Sequence, residues 1–201
     1  MELPFEDNSF DHVYEIEAVC HAPDKVNRIL PSPSDDHALC FSSQAKCFAE
    51  VIRVLKPGGS FSGYDWCLTD TYDSKNSEHR ETKQLIEEGD ALPELIPTHQ
   101  FTADLKSVGF TVEEGRIIPE GDIPWYQPLK GGSSMLSWDN FRTTAMGRFI
   151  TRNTVWLLEK TWIAAQGTSA TVDVLEKAGK GCVRGGESGI FTPYFFFLAR
   201  K

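Results

Sequence analysis

The stretch AKCFAEVIRVLKPGGSFSGYDWC, residues 45–67, decides the fold. Phe48, Val51, Ile52 and Leu55 recur at i, i+3, i+4 and i+7, the spacing that lines one face of an α-helix with apolar side chains. Pro57-Gly58-Gly59 ends that period, because proline does not continue a helix and glycine readily takes the left-handed position beyond it. Ser60 to Cys67 then reads as a strand. Upstream, FDHVYEIEAV (Phe10 to Val19) also reads as a strand, entered through the turn residues Pro4 to Ser9. Strand, helix, glycine turn, strand is the unit that joins parallel strands by a right-handed crossover. The predicted class is α/β with a doubly wound sheet.

Working outward, the pattern predicts a polar helix over Glu78 to Glu88, capped near Asn76 or Ser77. A shorter helix is expected after Thr102, ending at Gly109, with a strand resuming over Phe110 to Val112. A long helical stretch, rich in aromatic and aliphatic residues, is expected from Trp138 to Ile163. A helix from Thr171 to Ala178 leads to Gly181, and Phe191 to Arg200 reads as a last strand, with Pro193 at its start or on an edge. Val26 to Gln44 carries Pro31, Pro33 and no period. It parts the first strand from its helix, where such loops usually have about two to six residues. It is expected to be a disordered surface insertion.

The charge balance narrows the partners. A net charge of −9, from 20 basic and 29 acidic residues, argues against nucleic acid or an anionic membrane surface as the main partner. Peripheral membrane contact through an apolar patch stays open. The five cysteines are scattered and form no CxxC pair, so no metal site and no disulfide framework is expected. The first residues lack the pattern of a signal peptide, and the longest apolar run, Tyr194 to Ala199, is far short of a transmembrane segment.

Several motifs carry a resemblance. They are YEIEAVCHAP (Tyr14 to Pro23), RVLKPGG (Arg53 to Gly59), Tyr64-Asp65-Trp66, Asp122-Ile123-Pro124-Trp125-Tyr126 with Pro128-Leu129, and the terminal Phe191-Thr192-Pro193 and Ala199-Arg200-Lys201. In this order the chain resembles the sterol 24-C-methyltransferases, a class I methyltransferase family. The resemblance implies an incomplete Rossmann-like doubly wound sheet over residues 1–117. A mainly helical sterol methyltransferase region would follow over 118–201. It implies transfer of a methyl group from S-adenosylmethionine to the C24 side-chain double bond of a sterol, in sterol and ergosterol biosynthesis. A sterol substrate, a homo-oligomer and a place at the periphery of the endoplasmic reticulum or lipid droplets come with it. The family's upstream sterol-binding segment and glycine-rich cofactor turn have no counterpart in these residues, so a truncated chain, inactive alone, is expected. Two alternatives stand beside this: a methyltransferase of another small lipid, and a non-catalytic fragment partnering an intact subunit.

Removing residues 26–44 rejoins CHAPDK to AKCFAEVIRVLKPGG in the family's uninterrupted pattern. A valine codon starts with GT and one glutamine codon is CAG, so both ends suit splice sites. The expected result is a dominant message lacking these codons, which cDNA sequencing reads directly.

Attack of an alkene on a methyl sulfonium leaves a carbocation, so the site needs aromatic faces or carboxylates to stabilise positive charge and a base to take a proton. Glu17 is the first candidate, since it lies near the C-terminal end of its strand among Ile16, Ala18 and Val19, where a carboxylate is hard to bury without purpose. His21 would orient substrate or relay a proton, or be structural. Asp65 would face the same cleft, or cap a turn. Asp122 precedes Trp125 and Tyr126, a combination suited to a cation or simply to packing a loop. The catalytic candidates are thus Glu17, His21, Asp65 and Asp122. Tyr14, Tyr64, Trp66, Trp125 and Tyr126 are candidates for binding sterol, and Ile16, Glu17 and Ala18 for binding S-adenosylmethionine. Cys20 reads as a packed thiol.

Overall fold

The computed structural model of the chain describes residues 2–22, 43–119, 121–130 and 144–201. In chain order the elements are β1 (Phe10–Ile16), α1 (Ser43–Val54), β2 (Leu55–Leu68), α2 (Ser77–Gly89), α3 (Thr98–Ser107), β3 (Thr111–Ile117), α4 (Gln127–Lys130), α5 (Ala145–Lys160), α6 (Thr168–Glu187) and β4 (Phe191–Arg200). They fall into two compact units. One comprises Met1–Asp70, Pro93–Ile118 and Thr192–Lys201, and the other Thr71–Leu92 and Pro119–Phe191. The chain passes from the first unit to the second after Asp70 and after Ile118, and returns at Pro93 and at Thr192.

The first unit is built on a four-stranded sheet of order β1-β2-β4-β3. β1 and β2 run parallel, as the crossover pattern requires, with Val13 opposite Phe61 and Ile16 opposite Tyr64. β3 and β4 are antiparallel. Alternation sets one face inward: Phe61, Gly63, Asp65 and Cys67 of β2 are buried, as are Phe195, Phe197 and Ala199 of β4. Phe48 and Val51 of α1 join them, with Phe101 and Leu105 of α3, in one apolar cluster. Phe197 is its hub, with ring centroids 4.8 Å from Phe61 and 5.1 Å from Phe101. On the other face Tyr14, Ile16 and Tyr64 are exposed. The α/β class holds and the sheet is partial, with α1 and α3 packed on one face by the described elements of this unit.

β1 ends at Ile16 rather than Val19, because Glu17 adopts φ +51° and turns the chain into a 3-10 turn over Val19–His21. Lys56-Pro57-Gly58-Gly59 is a bulge inside β2 rather than a separate loop. The register jumps from Phe10 opposite Leu55 to His12 opposite Ser60, and Gly58 takes φ +79°. The last residues close this bulge: Gly58 N donates to Lys201 O at 3.0 Å, and Lys201 Nζ donates to Leu55 O at 2.6 Å. Residues 26–42 of the expected insertion lie outside the described residues. Its final two are ordered rather than disordered: Ser43 and Gln44 open α1, and Gln44 is buried. Gln44 looked like loop because the apolar period starts one turn later.

In the second unit α2 begins as expected, with Asn76 Oδ1 accepting from Glu78 N at 2.9 Å. α5 falls within the expected helical stretch, of which Trp138 lies outside the described residues. α6 is far longer than Thr171 to Ala178, running straight through Gly179, Gly181, Gly185 and Gly186. Gly181, Gly185 and Gly186 are close-approach sites rather than stops. A Cβ on Gly181 would stand 2.8 Å from Ile86 N of α2, and one on Gly89 of α2 would stand 2.4 Å from Ala178 Cα. Gly181→Val is therefore expected to destabilise the chain by about 1–3 kcal/mol, read in a urea titration, and an unchanged midpoint would contradict this packing. The start of α6 is held by Glu159, which accepts from Gly167 N at 3.0 Å and Ser169 N at 2.8 Å.

Candidate active site

The site is built where β1 and β2 end. Glu17 N makes the last ladder bond, donating to Tyr64 O at 2.8 Å. The left-handed backbone of Glu17 is costly for a residue with a Cβ, and such strain concentrates at functional positions. Beyond it, His21 N donates to Ala18 O at 3.2 Å and Ala22 N to Val19 O at 2.9 Å, closing the 3-10 turn.

Two buried carboxylates hold this turn from below. Glu15 Oε2 accepts from Ala18 N at 2.9 Å. Asp65 Oδ2 accepts from Cys20 N at 2.9 Å, and its Oδ1 from Trp66 N at 2.8 Å. Glu15 is 8 % exposed and Asp65 is fully buried. Burial pushes the Glu15 carboxyl up to about 8, helped by the negative charge of nearby Asp65. Burial also raises Asp65, against the hydrogen bonds that favour its charged form. Glu15 lies opposite Gly63, and only the missing side chain leaves room for it: a Cβ there would stand 2.8 Å from Glu15 Oε1.

One premise of the sequence reading is corrected. Glu17 is not a carboxylate held among Ile16, Ala18 and Val19; it is exposed, because β1 ends in the left-handed turn before residue 17 can face inward. The buried acid is Glu15, which sequence reasoning missed. Its signal was available, since Glu15 is in phase with Val13 on the inward face.

Of the remaining candidates, Tyr14, Ile16 and Tyr64 share the outer face of the sheet, at 79 %, 64 % and 38 % exposure. The Tyr64 ring packs 5.6 Å from that of Phe196. Ala18 and His21 are exposed on the turn, and Trp66 is half-buried. Asp65 belongs to the opposite, buried face, with both oxygens bound to backbone N–H groups. Cys20 is a buried thiol, pushed up by burial and by Asp65. Asp122, Trp125 and Tyr126 belong to the second unit. Asp122 is exposed, whereas the Trp125 ring packs 5.5 Å from Phe191, and a Cβ on Gly186 would meet Tyr126 at 2.2 Å. The aromatic pair thus packs onto the end of α6. A groove of about 420 Å³ runs beside β1, lined by Phe5, Phe10, Val13, Tyr14, Glu15 and Val51 among others. No described helix is long and apolar enough to cross a membrane.

The raised Glu15 carboxyl has a consequence for stability. A group whose folded value exceeds its ordinary 4.5 binds more protons in the native state, so its contribution is full at low pH and is lost as pH rises from there through about 8. Glu15→Gln removes that loss. Its melting temperature is expected to gain on the wild type across this window, and parallel curves would rule the buried acid out.

Comparison with known proteins gives the arrangement its relatives. Residues 138–201 match the family described as "Sterol methyltransferase C-terminal". The whole chain is 44% identical to cycloartenol-C-24-methyltransferase of Arabidopsis thaliana, covering 54% of that protein. It is 40% identical to sterol 24-C-methyltransferase erg6 of Schizosaccharomyces pombe, again over all of this chain and 50% of that protein. Among solved structures, a candidate sarcosine dimethylglycine methyltransferase from Galdieria sulphuraria superposes with a TM-score of 0.54 at 19% identity, covering 99% of this chain and 56% of that one. That likeness concerns the fold, the class I methyltransferase sheet in part. The chain spans about half the length of the curated relatives it matches. Along its whole length the chain is thus similar to about half of a sterol 24-C-methyltransferase.

Proposed function

We propose that these residues form one wall of an S-adenosylmethionine-dependent sterol C24-methyltransferase acting in sterol biosynthesis. The observation that carries the reading is Glu17, exposed at a strained backbone position at the C-terminal end of β1, where open α/β sheets bind ligands. The end of β1 suits one side of the cofactor: Ile16 and Ala18 offer apolar surface, and the Glu17 carboxylate complements a sulfonium or ammonium charge. When bound, S-adenosylmethionine supplies the electrophilic methyl group. Tyr14 and Tyr64, exposed on one face, offer aromatic rings to a cation that would be quenched by a nucleophile. Glu17 then accepts the proton lost from the sterol side chain, with His21 on the next turn as relay. Trp66, near the end of β2, completes the proposed set in this unit.

The test is methyl transfer from labelled S-adenosylmethionine by these residues joined to the rest of the family's length. A Δ24 sterol is expected to be methylated at C24. Methylation of a different lipid, with the sterol untouched, would overturn the substrate reading. The 201 residues lack the glycine-rich turn, so calorimetry on them alone is expected to find no micromolar binding of S-adenosylmethionine. A second reading, a fragment that partners an intact subunit, is favoured by β1, which pairs on one side only among the described residues. A homo-oligomer and a peripheral seat on the endoplasmic reticulum or lipid droplets belong to the first reading. Exposed Phe149, Ile150, Trp156 and Leu157 on α5 favour the latter.

A further inference from the structure

The geometry points to Glu15 and Asp65 as positioning residues: they grip the backbone from Ala18 to Cys20 and so set how Glu17 and His21 are presented. The inference rests on the methyl-transfer reading for its purpose, but not for its geometry. Three features carry it. Two N–H groups of one turn are bound by carboxylates from two different strands, Ala18 N by Glu15 at 2.9 Å and Cys20 N by Asp65 at 2.9 Å. Both acids lie on the inward face, away from the outer face that carries Tyr14 and Tyr64, so neither is free to meet a sterol there. Gly63 makes the arrangement possible, since any side chain at that place in β2 would occupy the space of the Glu15 carboxyl.

The grip also explains how Glu17 holds a left-handed backbone. A single residue at φ +51° would relax toward the extended region unless its neighbours were fixed. Here the residue before it ends the ladder, and the residue after it is bound through its N–H to Glu15. Hydrogen bonds to a carboxyl that cannot reach water are strong and directional. The groups facing Glu15 are Asp65 on β2, Glu17 and Cys20 on the turn, and Cys47 on α1, none of them cationic. Burial disfavours a second full negative charge there, while the bonds from the Ala18 and Val19 N–H groups favour it; in either form a Glu15 oxygen accepts from Ala18.

Hydrogen exchange of the 201-residue chain, followed by mass spectrometry over residues 14–22, tests the grip without any assay of activity. Glu15→Ala is expected to speed exchange of Ala18 by about tenfold or more. Glu15→Gln keeps a carbonyl acceptor and is expected to restore wild-type protection, which mere filling of space would not do. Wild-type protection in Glu15→Ala, or Glu15→Gln exchanging as fast as Glu15→Ala, overturns the inference. If Glu15→Ala fails to fold, Glu15→Met, which fills the same space without a strong acceptor, takes its place and is expected to speed exchange of Ala18 by about tenfold or more. Wild-type protection in Glu15→Met overturns the inference equally. Should the grip be found while the full-length protein methylates no sterol, the functional reading falls and the geometry stands.

Discussion

Replacing Glu17 by glutamine in the full-length protein is expected to lower turnover by about 10²- to 10⁴-fold, the usual contribution of a positioned acid or base, while leaving the melting temperature near that of the wild type. The two halves of this expectation have separate origins. Glu17 is exposed, so its carboxylate makes no buried contact whose loss would unfold the chain. Glutamine has the same shape and the same backbone tolerance, so the left-handed turn survives. What disappears is the negative charge, and with it the proton acceptor and the cation partner that the proposed mechanism assigns to Glu17. Turnover close to wild type would remove Glu17 from the chemistry and leave its strained backbone without a functional account.

Phe197→Ala acts on stability instead. Phe197 is fully buried on the central strand β4, with its ring 4.8 Å from Phe61 and 5.1 Å from Phe101. It links the inward faces of β2 and β4 to α3. Truncation removes the burial of the ring, leaves a cavity and breaks two edge or tilted ring contacts. The expected cost is about 3–5 kcal/mol, a large part of the whole stability of an ordinary domain. A urea titration should show a midpoint far below wild type, or no folded baseline at all. A change under about 1 kcal/mol would mean that the cluster around Phe197 collapses on the gap, or is not the core.

Much of the fold was legible because it is written locally. The apolar period of α1, the Asn76 cap of α2 and the ten residues of β4 all follow from neighbours in sequence, and the structure agrees with them closely. α6 was read too short for a definite reason. Glycine usually ends a helix, and only the surface of α2 shows why Gly181 has none of a larger residue's options. The site was legible as a place and less so as an orientation. β1 was read on to Val19, whereas it ends at Ile16, and a backbone angle at Glu17 and a register opposite Gly63 decide which acid is buried. Neither is visible without the partner strand. The aromatics Trp125 and Tyr126 show the same limit, since their packing on Phe191 and Gly186 depends on residues about sixty positions away.

The order of strands carries a consequence for synthesis. β4 follows the other three strands in sequence, yet it lies between β2 and β3, which are complete long before. Until its ten residues emerge, the nascent chain holds two strands that cannot find their neighbour, and the Phe61 and Phe101 rings lack the Phe197 between them. Completion of this sheet therefore waits for its last strand, through contacts of high order that form slowly. Loss of β4 alone would spare most of these residues and still deny the sheet the strand between β2 and β3.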